Sequence, residues 1–146
     1  MTNTTLRTTW DGKPIDPEPP FGASIIVYRQ REGQREFLIL HRAHKGPDYE
    51  GDWAWTPPSG ARYPGEPIEE CAARELHEEV GLRLPLQTTR FGRNWAVFYA
   101  EIGDQDQVEL IDVEHDRYEW VPLIEAVRRC QPIQVSQAIS DVASIL

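Results

Sequence analysis

The run Gly60-Ala-Arg-Tyr-Pro-Gly-Glu66-Pro-Ile-Glu-Glu-Cys-Ala-Ala-Arg74-Glu75-Leu76-His-Glu78-Glu79-Val-Gly81-Leu82 joins a turn-rich loop to a helix carrying clustered carboxylates. Wound as a helix, it places Glu75, Glu78 and Glu79 within one arc about 100° wide, while Ala72, Leu76 and Val80 fall on a separate arc. One face is core and the other is acid. Carboxylates spaced three and four apart repel, so the cluster costs stability unless a cation compensates it. Glu-rich helix faces are commonly just solvated. Here, however, Pro57-Pro58-Ser59-Gly60 and Pro64-Gly65-Glu66 form turns that bring backbone carbonyls and one more carboxylate to the helix start, which a solvated face does not require. Oxygen ligands without a neighbouring His or Cys cluster favour Mg2+ or Mn2+ over Zn2+, and Mg2+ usually keeps waters and binds substrate phosphates as well.

Outward from this run, Ala23-Ser-Ile-Ile-Val-Tyr28 and Glu36-Phe-Leu-Ile-Leu-His41 predict two strands joined as a hairpin through Glu32-Gly33. Residues 42 to 54, with Gly46, Pro47, Asp48, Gly51 and Asp52, predict a loop that leads into Trp55-Thr56 and the Pro-Pro turn. Downstream, Gly81 is a natural helix stop and Pro85 forbids continuation. Asn94 to Ile102 predicts a strand, Val108 to Val113 a mixed apolar and acidic segment, and Tyr118 to Val121 a short strand ending at Pro122. Leu123 to Cys130 and Val135 to Leu146 have helical spacing. Strands before and after one central helix, closed by a terminal helix, predict a mixed sheet covered on both faces.

The chain has 146 residues and is 40% hydrophobic, which suits one domain with a single core. Residues 1 to 20 are Thr- and Pro-rich and predict an arm, with an Asp-Gly hairpin signal in Thr8-Thr9-Trp10-Asp11-Gly12-Lys13; residues 21 to 146 form the domain. The net charge of -9, from 24 acids against 15 bases, argues against a duplex nucleic acid partner, which needs a basic footprint. A small polyphosphate can still be met by metal ions and a few arginines. Absence of a long apolar run or of a basic-then-apolar N-terminus points away from membrane and export. Cys71 and Cys130 are the only cysteines, arguing for a reducing cytosol rather than a disulfide framework, with packing as the role of Cys71.

The run from Gly60 to Leu82 resembles the Nudix box, Gly-x5-Glu-x7-Arg-Glu-apolar-x-Glu-Glu-x-Gly-apolar, at every fixed position. The resemblance extends over residues 21 to 142 through the hairpin, a Trp-x-x-Pro-x-Gly entry at Trp55 to Gly60, and Glu114-His-Asp-Arg-Tyr-Glu-Trp-Val121. Many Nudix enzymes read Pro-Gly-Gly where this chain reads Pro58-Ser59-Gly60. The resemblance implies an α/β fold, an α/β/α sandwich with a mixed sheet between helices. It also implies hydrolysis of a nucleoside diphosphate linked to another group. Glu75, Glu78, Glu79 and the Ser59 carbonyl would hold Mg2+ or Mn2+, Arg74, four residues before Glu78, would orient that carboxylate, and Glu66 would support the ligands from behind. Gly60, Gly65 and Gly81 would serve backbone shape. The metal would neutralise developing charge and lower the pKa of water, with Glu78 or Glu114 taking the proton; His115 beside Glu114 reads as an assistant or as a surface hydrogen-bonding group.

Arg42 and Arg62 are candidate phosphate contacts. Trp55, together with Trp53, Tyr49, Tyr63 and Trp120, is a candidate for stacking on a base. Tyr99 matches a Tyr that in the family often accompanies dinucleoside polyphosphate cleavage. The expected substrate is a nucleoside triphosphate or dinucleoside polyphosphate, met in the cytoplasm. Two alternatives stay open. One is an ADP-ribose or nucleotide-sugar pyrophosphatase, in whose relatives such an arm helps build a homodimer. The other is a Nudix-fold sensor that binds nucleotides and cleaves nothing; such domains can lose the metal carboxylates, all of which are retained here.

Overall fold

Alternation in the first two strands determines which residues meet which helix. In a computed structural model of the chain, which describes residues 7–9 and 11–146, β1 (Gly22–Arg31) and β2 (Gln34–Arg42) pair antiparallel from Tyr28↔Phe37 to Arg31↔Gln34. The turn between them has positive φ at both Glu32 (52°) and Gly33 (77°), the combination that matches the twist of a two-residue hairpin. Successive side chains point to opposite faces. Ala23, Ile25, Val27, Leu38 and Leu40 therefore join one apolar cluster, and Ile26, Phe37 and Ile39 join the other.

Beyond Tyr28 and Phe37 the two strands part, and the chain between β2 and the central helix fills the gap. Its short strands are β3 (Trp55–Thr56), which pairs with β2 at Leu40 and His41, and β4 (Ser59–Ala61), which pairs with β1 from Gly22 to Ser24. The Pro57-Pro58 turn is thus a wedge inside the sheet, secured where Ile25 N–H donates to Pro58 O at 2.8 Å. After the central helix α1 (Ile68–Val80), β5 (Gln87–Thr88) and β6 (Trp95–Glu101) extend the sheet; β6 runs parallel to β1. β7 (His115–Val121) pairs antiparallel with the outer edge of β2. Helices α2 (Leu123–Arg129) and α3 (Ile133–Ala143) close the chain.

The expected mixed sheet between helices is what forms. Cys71, Ala72, Leu76 and Val80 of α1 pack on the first cluster, while Ala126 of α2, Cys130 just after it, and Val135, Ile139 and Val142 of α3 pack on the second with Trp55. Both cysteines are free and buried, and burial pushes both thiols up to about 12. Helix α1 ends where Gly81 takes the left-handed conformation (φ 71°) and its N–H caps His77 O, as read from sequence. Val108 to Val113 forms no strand. It crosses the end of α1 as irregular chain, with Glu109 N–H on Val80 O and Ile111 N–H on Glu79 O.

Residues 1–6 of the expected arm, and Trp10 of its hairpin, lie outside the described residues. Around the turn, Gly12 N–H donates to Thr9 O and Thr8 bridges Pro14. The arm then packs on the loop preceding α1. Asp16 is buried, accepting from Gly65 N–H at 2.8 Å and lying 3.1 Å from Arg62 Nη1. Among the described residues no helix is long and apolar enough to cross a membrane.

Candidate active site

Helix periodicity sets the order of exposure on the acid face. Glu79 shares a turn with Val80 and Leu76 and is 1% exposed, whereas the Glu78 side chain, one position around, is 46% exposed. Glu75 lies between these extremes. Burial pushes the Glu75 carboxyl up to about 7 and the Glu79 carboxyl well above the usual carboxylate range, with the neighbouring acids adding to both. Glu79 Oε1 accepts Ser59 N–H at 2.9 Å, which ties the wedge to the helix, but Oε2 is buried with no hydrogen-bond partner.

Gly60 explains how the wedge comes so close. A Cβ at this position would overlap the Glu75 carboxyl group, so glycine lets β4 pass over the helix with that carboxyl where it is. Arg74 holds the opposite flank. Its Nε and Nη2 make a two-pronged contact with Glu66 at 2.8 Å each, Nη1 reaches Glu75 at 2.8 Å and Glu78 at 3.3 Å, and Nη2 also donates to Ala61 O at 2.9 Å. The sequence-based role for Arg74, orienting Glu78, is therefore its longest contact to a carboxylate. Glu66 and Glu75 are the main partners, and the Arg74 hydrogen bonds hold the Glu66 carboxyl below its ordinary range.

The segment before β7 completes the site. Glu114 is half-buried, donates its N–H to Asp112 Oδ1, and accepts Ala43 N–H through its carbonyl at 2.9 Å. Burial raises its carboxyl, against the opposing influence of His115 and Arg42, whose Nη2 lies 3.9 Å from Glu114 Oε1. One donor atom from each of Glu79, Asp112, Glu114 and His115 lies within 4.8 Å of the others. Asp112 and His115 enter this group without having been read as ligands. Their separation in sequence from Glu79 gives no periodic signal; only the folding of the 102–114 segment across α1 brings them in.

Two residues expected at the substrate belong to the scaffold instead. Trp55 is 0% exposed. Its ring lies under Arg129 (4.2 Å) and Arg117 (5.1 Å), it packs edge-on against His41, and its Nε1 donates to Glu50, so its faces are taken. Arg62 is committed to the arm: it donates to Pro20 O at 2.7 Å and Glu18 O at 2.8 Å, besides its pairing with Asp16. Tyr99 packs with the cluster under α2 and α3, on the sheet face opposite α1. Arg42 stands beside Glu114, its Nε buried without a partner. Of the other aromatics, Trp53 is the most open, 45% exposed with φ 66°, on the loop between β2 and β3.

A buried, unpaired carboxylate oxygen facing three further metal-competent side chains suits a divalent cation, since otherwise the acids would be buried at a cost. A mixed sheet between helices, with an acid-bearing helix entered through a glycine loop, is the fold of the Nudix class. The NUDIX domain model matches residues 19–140, and the chain belongs to that family. It is 32% identical over 126 residues to the asymmetrical bis(5'-nucleosyl)-tetraphosphatase of Sus scrofa, covering 73% of this chain and 82% of that protein. It is 30% identical over 136 residues to an octanoyltransferase of Myxococcus xanthus, covering 84% of this chain but spanning only 36% of that protein's length. Among solved structures, a binary complex of the C. elegans Ap4A hydrolase superimposes with a TM-score of 0.68 at 24% identity, over 85% of this chain and 96% of that one, a likeness of fold.

Proposed function

We propose that this chain cleaves a diphosphate linkage in a nucleotide polyphosphate, with a dinucleoside polyphosphate as the favoured substrate, in a divalent-metal-dependent hydrolysis. The observation that carries the reading is Glu79: a fully buried carboxylate with one oxygen on Ser59 N–H and the other unpartnered, facing Glu114. By the family resemblance Glu75, Glu79 and the Ser59 carbonyl would hold a Mg2+ or Mn2+ ion, with Glu78 as the more exposed ligand. When bound, the ion supplies neutralisation of the charge that develops on the diphosphate oxygens and acidifies water. The curated tetraphosphatase relatives favour the dinucleoside substrate over ADP-ribose.

The chain's own residues do the rest. Arg74 fixes Glu75 by the contacts described, so that the ligand does not have to be ordered during turnover. Glu114 accepts the proton of the attacking water at a carboxylate oxygen; its raised proton affinity moves it toward working pH, as a general base requires. Arg42, adjacent to Glu114, positions that carboxylate and offers a cationic contact to phosphate.

A substrate panel with Mg2+, scored for orthophosphate, pyrophosphate, AMP and ADP-ribose breakdown, tests the reading. Dinucleoside polyphosphate cleavage abolished by EDTA and restored by Mg2+ or Mn2+ is expected; full turnover in EDTA, or nucleotide binding without cleavage, overturns it. For the base, Glu114→Gln is expected to lower kcat by about 10^2 to 10^4 with KM near its original value, and raising pH should partly restore the rate because hydroxide replaces the lost base.

A further inference from the structure

The first residue of β7 brings to the acid cluster a donor that the box does not contain. His115 pairs with Arg42 across the β2 edge, and its side chain is 1% exposed. Its Nδ1 is buried and has no hydrogen-bond partner; Asp112 Oδ1, the facing carboxylate oxygen, stands 3.7 Å away, beyond hydrogen-bonding reach. Glu79 Oε2 is buried and unpartnered in the same cluster. Two residues that each carry an orphaned buried polar atom, one nitrogen and one oxygen, therefore belong to one group whose donor atoms lie within 4.8 Å of one another. Each would carry the desolvation cost of an unmade hydrogen bond unless something between them accepts both.

The surrounding backbone fixes this arrangement. Ile111 N–H bonds Glu79 O, Glu114 N–H bonds Asp112 Oδ1, and Glu114 O receives Ala43 N–H, so the 111–114 segment is stitched to both α1 and the end of β2. Carboxylates alone suit a hard cation. A neutral imidazole nitrogen is a poor partner for Mg2+ and a good one for Mn2+, Fe2+, Co2+ and Zn2+, whose affinities for nitrogen donors are higher.

We infer that His115 is a nitrogen ligand of the divalent ion, so that this centre selects Mn2+ and its borderline neighbours over Mg2+. The inference rests on the metal-centre reading given above and goes beyond it in naming a ligand outside the box and the class of ion that ligand favours. It also gives Asp112 a place, as a further carboxylate of the same group.

The test uses the full chain stripped with EDTA and loaded with Mn2+, read by pulsed electron paramagnetic resonance for nitrogen coupling to the ion. A 14N coupling is expected in the parent, converted to 15N coupling when histidine alone is 15N-labelled, so that this result does not depend on any variant folding. His115→Gln should abolish the coupling while Mn2+ still binds, and the ratio of Mn2+ to Mg2+ affinity, by calorimetry, should fall by about tenfold or more. Mn2+ bound without a histidine coupling would overturn the inference and leave the carboxylate centre standing. Failure of the parent to bind Mn2+ at all would remove the centre, and both readings with it. A coupling that persists unchanged in His115→Gln would assign the nitrogen to another histidine and equally overturn the proposal.

Discussion

Glu79 and Gly60 show how single residues trade stability for chemistry. Glu79 keeps a charge-bearing group where burial opposes ionisation, and only Ser59 N–H opposes that burial from the protein side. Glu79→Gln retains the shape and can retain the Ser59 bond, so its metal-free melting temperature should hold or rise. Metal should no longer raise it, and turnover should drop by about 10^2 to 10^3, the scale of losing one well-placed electrostatic group. Calorimetry with and without Mg2+ checks the first expectation and steady-state kinetics the second. For Gly60→Ala the added methyl has to displace the Glu75 carboxyl group, which Arg74 holds. The expected result is a folded protein with weaker metal affinity, measured by titration calorimetry; unchanged affinity would show that Glu75 is not a ligand.

At the scale of elements, the joint between the pre-helix loop and α1 rests on Arg74 and Glu66. Because Arg74 lowers the Glu66 carboxyl, the pair contributes stability above the ordinary value of 4.5, and that contribution is lost as pH falls through the lower folded value. Glu66→Gln should therefore cost about 1.5 to 3 kcal/mol at neutral pH, the range for charged hydrogen bonds. The gap to the parent should close in denaturant melts as pH drops below about 4. Long elements with a regular period are legible in the sequence: the β1–β2 hairpin alternates, α1 repeats at helical spacing, and Gly81 stops it. The wedge strands β3 and β4 are not legible, because two or three residues carry no period and their pairing partners are distant in sequence. Trp55 is misread as a stacking platform for the same reason. Asp112, and the burial of His115 beside Glu79, are not legible because the segment entering β7 is polar and irregular and Glu79 is distant from it in sequence.

For the whole molecule, the arm secures the loop that leads into the box helix. Asp16 holds Gly65 and Arg62, and Arg62 in turn holds Pro20 and Glu18, so removing residues 1–20 strips the box loop of its outer partners. The truncated chain should melt several degrees lower, since about 1 kcal/mol moves the midpoint by roughly 2 to 8 °C in this size range. It should also bind metal more weakly. Saturating Mn2+ should recover part of the loss, about 2.7 kcal/mol at a hundredfold excess over Kd; an unaltered melting temperature after truncation would show the arm to be ornamental. The chain between β2 and β3 leaves the site at Ala43, bonded to Glu114, and returns through Ala54 to Ser59, bonded to Glu79. Its two feet stand on the proposed centre while its crown, from Lys45 to Trp53, carries none of the proposed ligands and is moored elsewhere, Tyr49 O on His41 and Trp53 N–H on Gln131 O. On the proposed reading this separates two demands: sequence change at the exposed positions of the crown would leave the residues proposed to hold the metal in place.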